Sequence, residues 1–387
     1  VKVANPVAAA VYQEPWNVWG GTTPATTNIQ KIYQKASVSI GDNTSLGDNY
    51  NFAVGFNNNA TGNQTVAMGE KNTASGNQAV AIGSETKAIG NRSFAGGVKS
   101  EANATQSFSF GDTNTIGAGA NQSVAFGQLN IIAAGTGKYQ NVTLGRFNEI
   151  DGVVNYAFGT GNKVIQTGDI TIVPEHGGSL AVGLYNTVNS SSASVALGQK
   201  NVVTNSAMRA AAIGEENTSS GRASVALGYK NTSSAYASTA IGFQNISSSQ
   251  GSFAGGYQSD ATNNQAFAFG NDAQASAENS VAFGLATKAK GNQSVAIGNL
   301  SETGTNGTAA FATGYNTRAN AGTSATFGSG SIANGEASIA MGLNGNTTTA
   351  IASGAFAGGN ASIASNTNAF AFGNHVQASG ENAVSVG

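Results

Sequence analysis

The stretch Val66–Gly83 reads VAMGEKNTASGNQAVAIG and decides the fold, because its two ends repeat one motif. A short apolar segment closes on Gly69, and a nearly identical segment closes on Gly83, fourteen residues later. Counting such closing glycines gives 24 from Gly41 to Gly387, and most of them are 14 residues apart. Helical repeats need roughly 33 or 34 residues, so this period is too short for them. We therefore predict that each repeat is one coil of a parallel β-solenoid, or β-roll, of 14–16-residue coils.

Within a coil, side chains of the first strand alternate between two faces, so Val80 and Ile82 share one face and Ala81 takes the other. A second short segment repeats small residues, namely Ala60 and Gly62, Ala74 and Gly76, Ala88 and Gly90, Ala289 and Gly291, Ala333 and Gly335, and Ala378 and Gly380. A lumen this narrow is expected to hold Ala, Ser and Gly but not Val, Ile or Phe. Ala67, Ala81 and Ala296 are therefore predicted to point inward.

The branched side chains of the first strand are predicted to point out of the coil. Coils stack about 4.8 Å apart, so 24 of them would carry an apolar ladder of roughly 110 Å. Such a stripe is too costly to leave in water, so we predict a homotrimer that buries it around a shared axis. The predicted axis residues are Val66, Met68, Val80, Ile82, Val225, Leu227, Val281, Phe283, Val295 and Ile297. The alternative is a monomeric solenoid whose Val and Ile side chains fill its own lumen.

Glycine and asparagine dominate the predicted corners, as in Asn57–Asn59 and Gly62–Gln64. Both residue types tolerate positive φ, and Asn can also cap its own turn. These residues are therefore predicted to form the turns of each coil.

Three strands depart from the motif and read Phe-Ala-Gly-Gly, at residues 94–97, 253–256 and 356–359. Each has Phe where Val is usual and Gly where Ile is usual. We expect the large residue to be offset by the absent one, so that the local volume is roughly kept.

Composition excludes several classes of protein. The formal net charge is −2 and only 9% of the 387 residues are charged, which disfavours a nucleic-acid partner. Cysteine is absent, so disulfides, zinc-thiolate sites and thiol nucleophiles are excluded. No run of 18 apolar residues occurs, so we expect no membrane contact by this segment. The first residues, 1–4, lack the features of a signal peptide, and we expect a mature or excised segment.

Catalytic chemistry has few candidate residues. His176 and His375 are the only histidines, and His375 follows Gly373-Asn374, where a solvated turn is expected. No Gly-x-Ser-x-Gly elbow occurs, and the acidic residues offer no candidate pair. We therefore predict no catalytic, cofactor-binding or metal-binding residues and expect that the protein is not an enzyme.

The repeat breaks in three places: one precedes an expected β-roll of residues 37–387, and the other two lie within that roll. Residues 1–36 are expected to form an N-terminal cap segment, and the alternative is an adhesive tip. A 24-residue interval contains a predicted hairpin insertion near 161–178, and an 18-residue interval contains a small bulge near 128–142. The candidate adhesive residues in these segments are Tyr12, Trp16, Trp19, Ile170, Ile172, Glu175 and His176.

The wording Asn77-Gln78-Ala79-Val80-Ala81-Ile82-Gly83 and Asn292-Gln293-Ser294-Val295-Ala296-Ile297-Gly298, with its 14-residue period, resembles the YadA-like head of trimeric autotransporter adhesins. The resemblance covers about residues 37–387. It implies a left-handed homotrimeric β-roll on the bacterial cell surface, held at the outer membrane by a stalk and anchor outside this chain. It also implies attachment to extracellular matrix proteins, host cells or abiotic surfaces, with autoaggregation, biofilm formation and a role in virulence.

Two other functional classes remain as alternatives. An enzyme on a β-helical scaffold, such as a polysaccharide lyase or acyltransferase, would have larger coils or a cluster of acids and histidine. A passive structural or ice-binding roll would carry a flat array of regularly spaced Thr, whereas Thr is irregular here.

Overall fold

The computed structural model describes residues 2–4, 37–41, 44–47, 50–166, 178–190, 192–204, 207–343 and 346–387. Every regular element in these residues is a β-strand, which confirms the predicted all-β parallel solenoid. Among them, no helix is long and apolar enough to cross a membrane. The chain divides into two compact units, Val1–Ala193 and Ser194–Gly387, which are described in turn.

The strands described in the first unit are β1 (Lys2–Ala4), β2 (Ser37–Ile40), β3 (Ser45–Leu46), β4 (Phe52–Phe56), β5 (Asn59–Ala60), β6 (Val66–Glu70), β7 (Thr73–Ala74), β8 (Val80–Ser84), β9 (Lys87–Ala88), β10 (Phe94–Val98), β11 (Glu101–Ala102), β12 (Phe108–Asp112), β13 (Thr115–Ile116), β14 (Val124–Gln128), β15 (Ile131–Ile132), β16 (Val142–Arg146), β17 (Glu149–Asp151), β18 (Tyr156–Thr160), β19 (Lys163–Gln166), β20 (Leu180–Leu184) and β21 (Thr187–Ser190).

The strands described in the second unit are β22 (Val195–Gln199), β23 (Val202–Val203), β24 (Ala211–Glu215), β25 (Thr218–Ser219), β26 (Val225–Tyr229), β27 (Thr232–Ser233), β28 (Thr239–Phe243), β29 (Ile246–Ser247), β30 (Phe253–Tyr257), β31 (Asp260–Ala261), β32 (Phe267–Asn271), β33 (Gln274–Ala275), β34 (Val281–Leu285), β35 (Lys288–Ala289), β36 (Val295–Asn299), β37 (Glu302–Thr303), β38 (Phe311–Tyr315), β39 (Arg318–Ala319), β40 (Ala325–Ser329), β41 (Ser331–Ala333), β42 (Ile339–Gly342), β43 (Thr348–Ala350), β44 (Phe356–Asn360), β45 (Ile363–Ala364), β46 (Phe370–Asn374), β47 (Gln377–Ala378) and β48 (Val384–Val386).

Each coil contains one long strand, usually of five residues, and one short strand, usually of two. Long strands of neighbouring coils pair in parallel, as in β6 and β8, where Val66 lies opposite Val80. Short strands pair in the same way, as in β7 and β9, where Thr73 lies opposite Lys87. The described residues contain ten coils in the first unit and thirteen in the second, about 23 in total.

The first long strand has a neighbour of opposite direction. Strand β1 pairs antiparallel with β2, so that Lys2 lies opposite Ser39. Other residues of the predicted cap segment 1–36, including Tyr12, Trp16 and Trp19, lie outside the described part of the chain.

The lumen of each coil is lined by small side chains from both strands. Ala67, Ala81 and Ala296 on the long strands are fully buried, as predicted. On the short strands, Ala74 and Ala289 are fully buried as well. These alanines fill the interior because opposite strands of so short a coil leave no space for larger residues on both sides.

The prediction that the lumen excludes Val and Ile is wrong for one run of short strands. The side chains concerned are almost fully buried, and they are Ile116, Ile132, Ile150, Val164, Val188 and Val203. Their partners on the long strands stay small, since Ser109 accompanies Ile116 and Ala157 accompanies Val164. Five of the six belong to coils longer than 14 residues, which leaves more room; Ile150 is the exception. One large residue per coil is therefore tolerated when it faces a small one.

Close stacking explains the closing glycine of each long strand. Gly69 and Gly228 both have φ near +119°, a conformation that L side chains rarely adopt. A Cβ on Gly69 would lie only 2.0 Å from the carbonyl oxygen of Gly83 in the next coil. Glycine is required here by both the backbone conformation and the missing space.

A column of buried asparagines precedes the short strands, and the sequence did not predict it. The side-chain nitrogen of Asn72 lies 2.8 Å from the Met68 carbonyl, 2.7 Å from the Gly83 carbonyl and 3.0 Å from Oδ1 of Asn58. The members of the column are Asn58, Asn72, Asn114, Asn130, Asn148, Asn162 and Asn186 in the first unit and Asn201, Asn217, Asn231 and Asn245 in the second. These amides satisfy backbone carbonyl groups near the ends of two neighbouring long strands.

The corners differ in part from the prediction. Positive φ occurs at Asn57, as expected, but at other corners it falls on Gln64 and Lys71 rather than on Gly or Asn. The buried Asn72 follows the corner residue and is held by its side-chain hydrogen bonds. The sequence therefore predicted the position of the corners better than the residue that carries the strained backbone.

Candidate functional site

The first and third residues of each long strand point away from the lumen, and we call this surface the outer strand face. Val66 and Met68 of β6 lie on it, whereas Ala67 between them is fully buried. The other residues predicted for the axis have the same orientation, with Ala81, Ala226, Ala282 and Ala296 buried between each pair. The structure therefore places all ten predicted axis residues on one face of their strands.

Parallel pairing stacks these side chains into ladders. In the first unit, Val66 lies opposite Val80 and Met68 lies opposite Ile82. In the second unit, Val281 lies opposite Val295 in the same way. Like residues thus follow one another from coil to coil.

Much of this apolar ladder is exposed in the single chain. The exposed fraction is 37% for Met68, 38% for Ile82, 38% for Leu227 and 46% for Phe283. Monomeric proteins rarely expose contiguous apolar patches larger than a few hundred Å². The outer strand face therefore has the character of a surface that another molecule covers.

Stacked phenylalanines occupy this face at three places. The rings of Phe94 and Phe108 are 4.9 Å apart and nearly parallel. Phe253 and Phe267 repeat this arrangement at 4.9 Å, and Phe356 and Phe370 repeat it at 4.8 Å. Each group begins at one of the Phe-Ala-Gly-Gly strands.

A second aromatic row lies where three long strands end, and the sequence analysis missed it. Phe243 stacks on Tyr229 at 5.1 Å and on Tyr257 at 4.8 Å. The ammonium of Lys230 lies 4.9 Å from the Tyr229 ring. The neighbouring Tyr229 side chain is the larger cause, and the charge of Glu216 the second cause, that raises the pKa of Lys230. We call Tyr229, Phe243 and Tyr257 the aromatic flank. The signal in the sequence was an aromatic residue directly after three consecutive closing glycines.

Charged side chains border a shallow groove of about 490 Å³ in the first unit. Its lining residues are Lys71, Glu85, Lys87, Lys99, Glu101, Thr113 and Thr115. Lys87 and Glu101 form an ion pair of 2.7 Å, and the hydrogen bond from Lys87 lowers the pKa of Glu101. Mixed charge makes this groove a polar side of the coil rather than a site for one ion.

Groups suited to catalysis or metal binding are sparse. Among the described residues, no cluster of three or more His, Asp or Glu could hold a metal ion. His375 is exposed at a bend with φ of 58°, in the turn that the sequence predicts. Lys138 is engaged by Asp151 at 2.6 Å and by the Ala134 carbonyl at 2.8 Å.

The residues predicted for adhesion all lie outside the described part of the chain. Ile170, Ile172, Glu175 and His176 lie outside the described residues, as do the three aromatic residues of the cap segment. Of the insertion near 161–178, strand β19 belongs to the solenoid, where it pairs in parallel with β17 and β21. In the bulge near 128–142, the chain returns to the stack at Tyr139, which forms a bridge with Asn121.

These features define a class of protein, a parallel β-solenoid of very short coils with one apolar strand face left open in the single chain. The family model of the YadA head domain repeat (2 copies) matches residues 52–69, 60–86, 74–100, 206–231, 261–287, 275–301 and 327–344, about a third of the chain. The matched segments are thus similar to the repeats of YadA-like heads, the part of trimeric autotransporter adhesins that the sequence wording resembles. That family is one of adhesins rather than enzymes, and it implies a surface-exposed location. No curated protein matches the chain.

Proposed function

We propose that this chain is the head of a bacterial surface adhesin and that it acts as a homotrimer whose outer strand faces pack around a common axis. The observation that carries the proposal is the open apolar ladder of Val, Ile, Leu, Met and Phe on that face. The family to which the repeats belong supports it.

The ladder cannot be buried within the chain itself. Its strands already direct Ala67 and Ala282 toward the lumen, which is filled. The outer side chains therefore have no second interior in which they could be buried. Burial of apolar surface contributes about 25 cal/mol per Å², which favours association through this face. A threefold arrangement covers the face of every copy at once and leaves the polar corners, such as Gln64 and Gln78, in water.

Adhesion follows from many weak contacts on a repetitive scaffold. Three copies per trimer, and many trimers per cell, raise the effective concentration of each contact. The proposed partners are extracellular matrix proteins, host cell surfaces, abiotic surfaces and heads on other cells. Contact between heads on different cells would produce autoaggregation and biofilm. The head performs no catalysis and is displayed outside the outer membrane.

Three surfaces are candidates for the contact. Two come from the sequence. The first consists of the aromatic residues Tyr12, Trp16 and Trp19, and the second is the insertion near 161–178. The third is the aromatic flank, since Tyr and Phe are favoured anchors in binding interfaces. Tyr257 is well exposed there, and Lys230 adds a cation beside Tyr229.

The test measures attachment of the purified chain to fibronectin, laminin, cultured epithelial cells and bare plastic. The variants replace Trp16 and Trp19 by Ser, delete residues 167–177, or replace Tyr229, Phe243 and Tyr257 by Ser. A matched control replaces Ser234, Ser248 and Thr262 by Ala on another outward-facing row. The proposal expects attachment to at least one surface and its loss in one of the three variants. Absence of attachment to every surface contradicts the adhesive function.

A further inference from the structure

Three groups of phenylalanines interrupt the regular ladder of the outer strand face, and we call them the aromatic keys. Each consists of a Phe-Ala-Gly-Gly strand and the Phe-x-Phe-Gly strand of the next coil. Their residues are Phe94, Gly96, Phe108 and Phe110; Phe253, Gly255, Phe267 and Phe269; and Phe356, Gly358, Phe370 and Phe372. The first key lies in the first unit and the other two lie in the second.

Because the glycine of each key has no side chain, two phenylalanine rings occupy the space above it. A Cβ on Gly96 would lie 2.8 Å from the Phe94 ring and 2.7 Å from the Phe110 ring. Both rings therefore lean over the position that Ile or Met occupies in an ordinary coil. Gly96 is buried beneath them, although it lies on the outer face of its strand. This explains the paired departure from the motif better than conserved volume alone.

The same geometry occurs three times. Gly255 and Gly358 have the corresponding two rings within 3.0 Å of a Cβ position, and the first-position rings stack at 4.8–4.9 Å in all three keys. Each of the three Phe-x-Phe-Gly strands of the sequence directly follows a Phe-Ala-Gly-Gly strand. The two strands thus act as one unit whose shape differs from that of any ordinary coil.

An ordinary ladder gives little information about axial alignment. If one copy slides along another by one coil, about 4.8 Å, many outer positions meet a similar apolar residue, as Val66 is followed by Val80 and Met68 by Ile82. Leu227 and Ile241, for example, occupy the same place in successive coils. Such a slip changes the contacts mainly at the ends of the ladder. Uniform repeats therefore need a distinct feature to specify one alignment.

We infer that the aromatic keys fix the axial register in which copies of this chain assemble through the outer strand face. The inference rests on the proposed trimer. In register, each key meets the same key of the other copies, and their half-exposed rings, such as Phe110 and Phe269, pack together. After a slip of one coil, the rings of Phe94 and Phe108 would face strands of a different shape. Packing defects at all three keys then disfavour the shifted assembly.

The test uses cysteine probes, because the natural chain has no cysteine. One chain carries Leu227→Cys and a second, of different mass, carries Ile241→Cys; the two are produced together as full chains. The disulfide-linked products are then separated, and their molecular masses are measured by mass spectrometry. In register, disulfides form between identical positions, whereas a slip of one coil joins position 227 to position 241.

The key-free variant restores the common motif with Phe94→Val and Gly96→Ile, Phe253→Val and Gly255→Ile, and Phe356→Val and Gly358→Ile. We expect the mixed 227–241 product to be minor in the natural background and to rise at least about fivefold in the key-free background. A control with Val295→Ile and Ile297→Leu changes the same face outside the keys and should leave the ratio unchanged.

Two outcomes overturn the inference while the trimer stands: abundant mixed product in the natural background, or an unchanged ratio in a trimeric key-free variant. If the key-free variant does not fold, judged by circular dichroism, the variant with only Phe253→Val and Gly255→Ile gives the same comparison near the probes. A natural chain that sediments as a monomer contradicts the trimer instead, so the two failures are distinguishable.

Discussion

The side-chain nitrogen of Asn72 lies 3.0 Å from the side-chain oxygen of Asn58, one coil earlier, and this contact links buried asparagines into a column. An amide suits the position because it carries a donor and an acceptor on one short side chain. The side-chain nitrogen of Asn72 also donates to the carbonyls of Met68 and Gly83 on two neighbouring long strands. The side-chain oxygen of Asn58 accepts from the amide of Asn72 in the next coil. The column therefore ties each coil to its neighbours without bulk in the lumen.

Replacing one member of the column should destabilise the solenoid. Asn231→Ala removes the contacts of Nδ2 with Asn217, Leu227 and Gly242 and leaves buried carbonyls without a donor. We expect a loss of about 3 kcal/mol in the free energy of unfolding, measured by urea titration. Asn231→Thr should cost less, because Thr86 occupies the equivalent position naturally and bonds to Asn72. Equal losses for Ala and Thr would show that the column is not the cause.

Adding a methyl group to a closing glycine should be severe. Gly228 has φ of +119°, and a Cβ there would lie 2.1 Å from the Gly242 carbonyl oxygen. Gly228→Ala is expected to lower the free energy of unfolding by more than about 3 kcal/mol. The matched control is Gly322→Ala, whose Cβ would meet nothing closer than 3.9 Å and which should change stability by less than about 1 kcal/mol. Similar melting temperatures for both variants would contradict the stacking argument.

A charge on the outer strand face should prevent assembly. Val295→Asp would bring three carboxylates together on the proposed axis, where unpaired buried charge is strongly unfavourable. We expect size-exclusion chromatography with light scattering to show a monomer. Ser234→Asp places the same charge on an exposed short-strand flank and should leave the assembly intact. A trimeric Val295→Asp protein would show that this face is not the interface.

Acid should reveal the environment of Asp260. Burial, followed by the charge of Asp272, raises the pKa of Asp260 above its ordinary value. The folded state then holds this proton more tightly than the unfolded state, so stability falls as pH rises from the ordinary pKa through the raised one. Asp260→Asn should therefore melt at a higher temperature than the natural chain near pH 7 and lose that advantage near pH 3. A constant difference across this range would contradict the assignment.

The regular part of the fold was predictable from the sequence because one residue pattern serves every coil. The spacing of closing glycines fixes the coil length, and alternation in Val80-Ala81-Ile82 fixes which side chains face inward. The prediction failed where the interior depends on how two strands share space, as for Ile116 and Ile150. Periodicity reports which face a residue occupies, but not how much room the opposite strand leaves.

The candidate surfaces were predicted less completely than the fold. The outer strand face followed from the motif, whereas the aromatic flank required knowing that Tyr229, Phe243 and Tyr257 stack at the end of their strands. The asparagine column was also missed, because an Asn near a corner is interpreted from sequence as a turn residue. Only the stacking of coils shows that Asn72 points inward and contacts Asn58.

Sedimentation equilibrium of the purified chain tests the central claim most directly. The account predicts a single species of three times the 38.5 kDa chain mass across a wide range of dilution. A stable, folded species of one chain mass at micromolar concentration would contradict it, because the apolar ladder on the outer strand face would then be open to water.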